Sequence, residues 1–122
     1  MDERRGLLVY GVARVAIGVA FVAAPGPLLQ HWIGDDADRP AARFLGRLFG
    51  LRDAAIGVGV VLAAREGRSM RRWALLAAAA DAGDAVVSLS ALGRLPRRGL
   101  LAAAAAAVAG SGTGVVLAQR LR

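Results

Sequence analysis

The stretch ARFLGRLFGLRDAAIGVGVVLAA, residues 42–64, is long and apolar enough to cross a bilayer, yet it carries Arg52 and Asp53 near its middle. A hydrocarbon core of about 30 Å takes about 20 consecutive apolar helical residues. A charged group at mid-depth costs on the order of 2.5 to 3.5 kcal/mol on insertion scales, so such residues face a bundle interior or water and have a partner. The stretch therefore reads as a membrane helix with one polar face.

Three further runs repeat the pattern. They are LLVYGVARVAIGVAFVAA (residues 7–24), WALLAAAADAGDAVVSLSAL (residues 73–92) and LLAAAAAAVAGSGTGVVLA (residues 100–118). Proline and glycine separate them: Pro25, Gly26 and Pro27 after the first, and Pro96 before the last. Four spans at about 7–24, 42–64, 73–92 and 100–118 with short connections predict an all-α fold. Its architecture would be a four-transmembrane-helix up-down bundle in one integral membrane domain, residues 1–122. A signal peptide has an outline like that of the first run. Arg14 interrupts its apolar region and Pro25 follows the plausible cleavage position, so the run is expected to be a retained span.

Composition points the same way. The chain is 57% apolar, with mean hydropathy +0.51, outside the usual range of soluble domains. Ala, Val, Leu and Gly supply most of that mass, which suits close helix packing in lipid. The formal charge of +7 comes from sixteen arginines and no lysine. They cluster at the ends of apolar runs instead of forming one basic face, so nucleic acid is not an expected partner. The expected surroundings are the lipid bilayer, with a homo-oligomer or a membrane-complex partner. The absence of cysteine excludes disulfides and thiolate chemistry.

Arginine counts near span ends orient the bundle. Arg4, Arg5, Arg65, Arg68, Arg71, Arg72, Arg120 and Arg122 fall on one side, against Arg39, Arg43, Arg94, Arg97 and Arg98 on the other. Both termini are therefore predicted to be cytoplasmic, in a multi-pass membrane protein. Between the first two spans, residues 28–33 are expected to lie along the interface with Trp32 as an anchor, while Asp35, Asp36 and Asp38 face water.

Helical geometry sorts the charges. At about 100° per residue, Arg43, Gly46, Arg47, Gly50, Asp53, Ala54, Gly57 and Val61 form one small and polar stripe. Arg52 projects away from it among Leu45, Leu48 and Ile56, and is expected to be covered by another helix of this or a neighbouring subunit. Asp81 and Asp84 stand at i and i+3, on one face of the third span. Arg14 shares a face with Tyr10, Gly11, Gly18 and Phe21. The expected buried polar cluster is Arg14, Arg52, Asp53, Asp81 and Asp84, a possible proton or ligand site, with Arg43 and Arg47 as possible contacts for an anion or lipid headgroup. Gly46, Gly50 and Gly57, and the Gly110/Gly114 pair, are the expected helix-packing positions. Ion pairing that fixes helix register is the leading reading of the cluster. A small proton-coupled transporter or channel-like protein using Asp81 and Asp84 is the alternative.

No catalytic motif is present, and no enzyme activity, cofactor or metal is expected. His31 beside Asp35, Asp36 and Asp38 matches no metal-ligand spacing. A faint echo, YGVARVAIGVAFV (residues 10–22) on FGLRDAAIGVGVV (residues 49–61), sets Gly11 on Gly50 and Arg14 on Asp53. Low-complexity apolar sequence produces such matches readily, so the echo reads as chance.

The segment FLGRLFGLRDAAIGVGVVLA, with GLRD (residues 50–53) as its most specific part, is followed by a third span holding DAGDA (residues 81–85). This pattern resembles a family of small four-helix integral membrane proteins, mainly actinobacterial, with no assigned activity. The resemblance covers most of the chain. It implies four membrane helices and leaves the mechanism open.

Overall fold

A computed structural model describes residues 2–121 of the chain. The fold is all-α, with five helices: α1 (Glu3–Ala23), α2 (Pro25–Ile33), α3 (Pro40–Glu66), α4 (Met70–Ser90) and α5 (Arg97–Arg120). A 3-10 turn, Gly34–Asp38, joins α2 to α3. Met1 and Arg122 lie outside the described residues, Arg122 being one of the arginines used above to orient the chain.

Local chemistry sets the helix ends. The Asp2 carboxylate caps α1 by accepting from the Arg5 amide at 2.8 Å. Pro25 and Pro40 open α2 and α3 at the first helical position, where a missing N–H costs nothing. Gly67 closes α3 in the left-handed region, φ +69°, with its amide bonded to the Ala63 carbonyl at 2.9 Å. Arg4 of α1 donates to the Ala64 and Arg65 carbonyls, which α3's last turn leaves without helical partners.

The four long helices pack in the cyclic order α1, α3, α4, α5, so α1 and α4 face each other across a diagonal. Each neighbouring pair is antiparallel. Gly11 meets Gly57 and Gly18 meets Gly50 on α1 and α3. Arg52 meets Asp84 while Gly59 meets Trp73 on α3 and α4. Gly110 meets Asp81 and Gly114 meets Ala78 on α4 and α5, and Tyr10 meets Gly110 on α1 and α5. The up-down arrangement expected from the sequence is present in these four helices.

The α1/α3 pair is the tightest. A Cβ on Gly18 would sit 2.5 Å from the Gly50 carbonyl oxygen, and one on Gly50 would sit 2.5 Å from the Gly18 carbonyl oxygen. Only glycine lets two backbones approach this closely. The sequence echo thus has a geometric counterpart. Gly11 aligns with Gly50 but packs on Gly57, and Gly18 aligns with Gly57 but packs on Gly50, a local two-fold exchange with Arg14 and Asp53 near its centre.

Buried apolar residues form two clusters. One gathers Leu7, Val60, Ala64, Ala74, Ala77, Ala118 and Leu121 at the end of the bundle that holds both described chain ends. The other gathers Phe21, Leu29 and Ala37 with Trp32 and Phe49 at the opposite end. Many large apolar side chains point outward instead, among them Val9, Val12, Val19, Leu45, Leu48, Val86, Val87 and Val108. In water such a surface would drive aggregation, whereas lipid solvates it.

Three helices, α1, α4 and α5, are long and apolar enough to cross a membrane. The helix α3 is longer, at 27 residues. Arg43, Arg47, Arg52, Asp53 and Arg65 raise its charge content, and its stretch free of other flanking charges runs only over residues 48–64.

The connection between the first two long helices departs from expectation. It is a helix and a 3-10 turn instead of an irregular interfacial loop. Trp32 turns into the bundle, 6.2 Å from the Phe21 ring and 5.1 Å from the Phe49 ring, both edge-on. Its indole N–H donates to the Ser88 hydroxyl of α4 at 3.1 Å. Partial burial of the ring against two aromatics, with a hydrogen-bond partner for its polar tip, accounts for this placement.

Candidate functional site

A polar layer separates the two apolar clusters. Arg14 is its centre, with only 6% of its side chain exposed. One guanidinium nitrogen pairs with Asp53 of α3, and the other donates to Asp81 of α4 at 2.8 Å. Tyr10, one turn before Arg14, accepts from the same guanidinium at 3.2 Å. Its hydroxyl lies 3.1 Å from the Gly110 carbonyl and 3.2 Å from an Asp81 oxygen. One arginine of α1 therefore links α3 to α4, and the Tyr10 hydroxyl carries the network on to α5. The buried Arg14 Nε has no hydrogen-bond partner among the described residues.

Arg52 and Asp84 form a second, shallower pair at 2.7 Å. Arg52 keeps 41% of its side chain exposed against 17% for Asp84. Its guanidinium also stands 4.9 Å from the Phe49 ring centroid, within cation–π range. Contrary to expectation no helix covers Arg52: α4 of the same chain supplies its partner, Asp84, and leaves the guanidinium exposed. No neighbouring subunit is required for its pairing.

The five expected cluster residues are thus brought to one region, but not as one group. Asp81 and Asp84 share a helix face, yet each belongs to a different arginine. Arg43 and Arg47 stay out of the layer. Arg43 pairs with Asp38 at 3.6 Å, and Arg47 donates to the Val22 carbonyl at 3.2 Å, both exposed. Their stripe positions place them beyond the end of the buried face, where α2 and the 3-10 turn hold the ground.

The packing glycines fall where small residues are needed. Gly46 lies under Leu29 and Pro25, while Gly50 and Gly57 meet α1. Gly114 packs against Ala74 and Ala78. At Gly110 a Cβ would stand 2.5 Å from an Asp81 carboxylate oxygen, so this glycine makes room for the ion pair.

Beside the polar layer lies a cavity of about 380 Å³, within the size range of small-molecule pockets. Tyr10, Arg14, Asp53, Asp81 and Asp84 form its polar wall. Ala102, Ala103, Ala106 and Ala107 of α5 face them, and Phe21, Trp32 and Phe49 close one end. On a helical wheel Ala103, Ala106 and Ala107 fall beside the Gly110/Gly114 pair, where small residues suggest packing; in the structure they line the cavity together with Ala102. Tyr10 had a signal: it is the chain's one tyrosine, four residues before a mid-span arginine.

Geometry and composition together define the class, an all-α protein with three helices able to cross a membrane and a buried Arg–Asp ion-pair layer. Comparisons with protein-family models, curated proteins and solved structures return no match to this chain.

Proposed function

We propose that the chain is a four-span integral membrane protein of a bacterial inner membrane, with both termini cytoplasmic. In this reading it acts as a non-catalytic structural or accessory subunit. The observation that carries it is Arg14 shared between Asp53 and Asp81, deep between helices whose outer surfaces are apolar. An ion pair buried at that depth fixes which helix faces meet, because any other register strands a charge.

Counting α3 as the fourth span is supported by its length. Its 27 residues extend about 40 Å at 1.5 Å per residue, more than a hydrocarbon core, so Arg43 and Arg65 reach the two interfaces. The partly exposed Arg52 on an otherwise apolar face supports a contact with a second copy or a membrane-complex partner. The GLRD and DAGDA segments support kinship with the small four-helix membrane proteins described above.

The reading is tested by alkaline carbonate washing of membranes and by thermal unfolding in detergent. The protein should resist the wash, and Asp81→Asn should lower the unfolding midpoint. Release by carbonate, or an unchanged midpoint, contradicts it.

A second reading, proton-coupled transport, is favoured by one observation: Asp81 and Asp84 both line the cavity. Under it, proteoliposomes should show a flux driven by a pH gradient that Asp84→Asn abolishes in folded protein. Unchanged flux removes Asp84 from that mechanism.

A further inference from the structure

The cavity has a definite shape. At one end α1 and α5 touch: a Cβ on Gly6 would stand 3.2 Å from the Leu117 side chain, and Tyr10 is bonded to the Gly110 carbonyl. At the other end α2 wedges between them. A Cβ on Gly99 would stand 2.5 Å from the Trp32 carbonyl oxygen. Between these closures the helices part, and the exposed residues Ala13, Ile17, Ala102 and Ala106 frame an opening. The opening faces sideways, in the direction of the outward apolar surface of α1 and α5.

Charge inside is unbalanced. Asp53, Asp81 and Asp84 line the cavity or its floor, against the two guanidinium groups of Arg14 and Arg52. Three carboxylates against two arginines leave one negative charge in excess. Two other titratable side chains are on the wall: Tyr10, bonded into the network, and His31, exposed at the α2 end. Phe21, Trp32 and Phe49 add aromatic surface, which attracts cations. Small walls, aromatic surface and two carboxylates, Asp53 and Asp81, sharing the single guanidinium of Arg14 define one ligand chemistry.

We propose that the lateral opening between α1 and α5 admits a lipophilic monocation from the bilayer, held against Asp81 and Asp84 and the aromatic end of the cavity. An anion of the same shape is repelled. This goes beyond a structural role and rests on the chain being embedded in a membrane. Ala106 belongs to the rim and not to the ion pairs, so a larger side chain there blocks entry without touching the network.

The test uses full-length protein in phosphatidylcholine nanodiscs, with equilibrium dialysis of tetraphenylphosphonium and empty nanodiscs as the baseline. Saturable binding of one cation per chain is expected, without competition from tetraphenylborate, the anion of matching shape. Ala106→Leu should abolish it, and Asp81→Asn should weaken it about tenfold or more in the folded fraction. Uptake equal to empty nanodiscs, equal binding of tetraphenylborate, or full binding by Ala106→Leu overturns the proposal and leaves the membrane reading intact. Failure to stay with membranes in carbonate overturns both.

Discussion

Arg14 of α1 donates to Asp81 of α4 at 2.8 Å across the diagonal of the bundle, between helices that are not packing neighbours. The pair ties α1/α3 to α4/α5 at a level where the cavity leaves little apolar contact. Depth separates it from the other ion pair. Arg14 and Asp53 are nearly inaccessible, whereas Arg52 is two-fifths exposed and has a long stem that can carry its charge outward.

Asp53→Asn should therefore cost about 3 kcal/mol or more, the range for stranding a buried charge. Asp84→Asn should cost about 1 kcal/mol or less, as for accessible pairs. Denaturant unfolding in mixed detergent micelles measures both. Equal losses would contradict the difference in depth.

Gly50→Ala should destabilise by about 1 to 3 kcal/mol, because the new methyl meets the Gly18 carbonyl and the Phe21 Cβ. Gly112→Ala meets nothing within 4 Å in a helix, so it should be neutral or stabilise by up to about 1 kcal/mol. A thermal shift of the same sign and size for both would place the tight contact elsewhere.

Tyr10→Phe removes the hydroxyl that links Arg14, Asp81 and the Gly110 carbonyl. A loss of about 1 kcal/mol is expected, read as a lower melting temperature. No change would mean that the hydroxyl contributes nothing to the network.

The helices and the polar residues were legible because period and charge are sequence properties. Apolar runs gave the long helices, and the 100° rotation separated Asp53 from Arg52. What the sequence withheld was pairing between helices. Asp81 and Asp84 look like one site on a helical wheel, yet Asp81 pairs with Arg14 of α1 and Asp84 with Arg52 of α3. Trp32 shows the same limit. Its flanking prolines and aspartates suggest an interfacial loop, but Ser88, 56 positions away, supplies the partner that draws it inward. Gly11, Gly18, Gly50 and Gly57 show it too, since their small size is plain in the sequence but which of them meet across α1 and α3 is not.

Orientation is open to a direct check in this cysteine-free chain. Ser69→Cys, between α3 and α4, should resist an impermeant thiol reagent added outside intact cells, and Asp35→Cys should react. The reverse pattern would invert the topology.

The most direct test of the central claim is a double-mutant cycle on Arg14→Gln and Asp81→Asn, with unfolding free energy measured in detergent. Each single substitution strands charge in the polar layer, so both should destabilise. The double variant should lose at least about 1 kcal/mol less than the summed single losses. Strictly additive losses, or single variants as stable as the parent, would contradict a structural ion pair across the bundle.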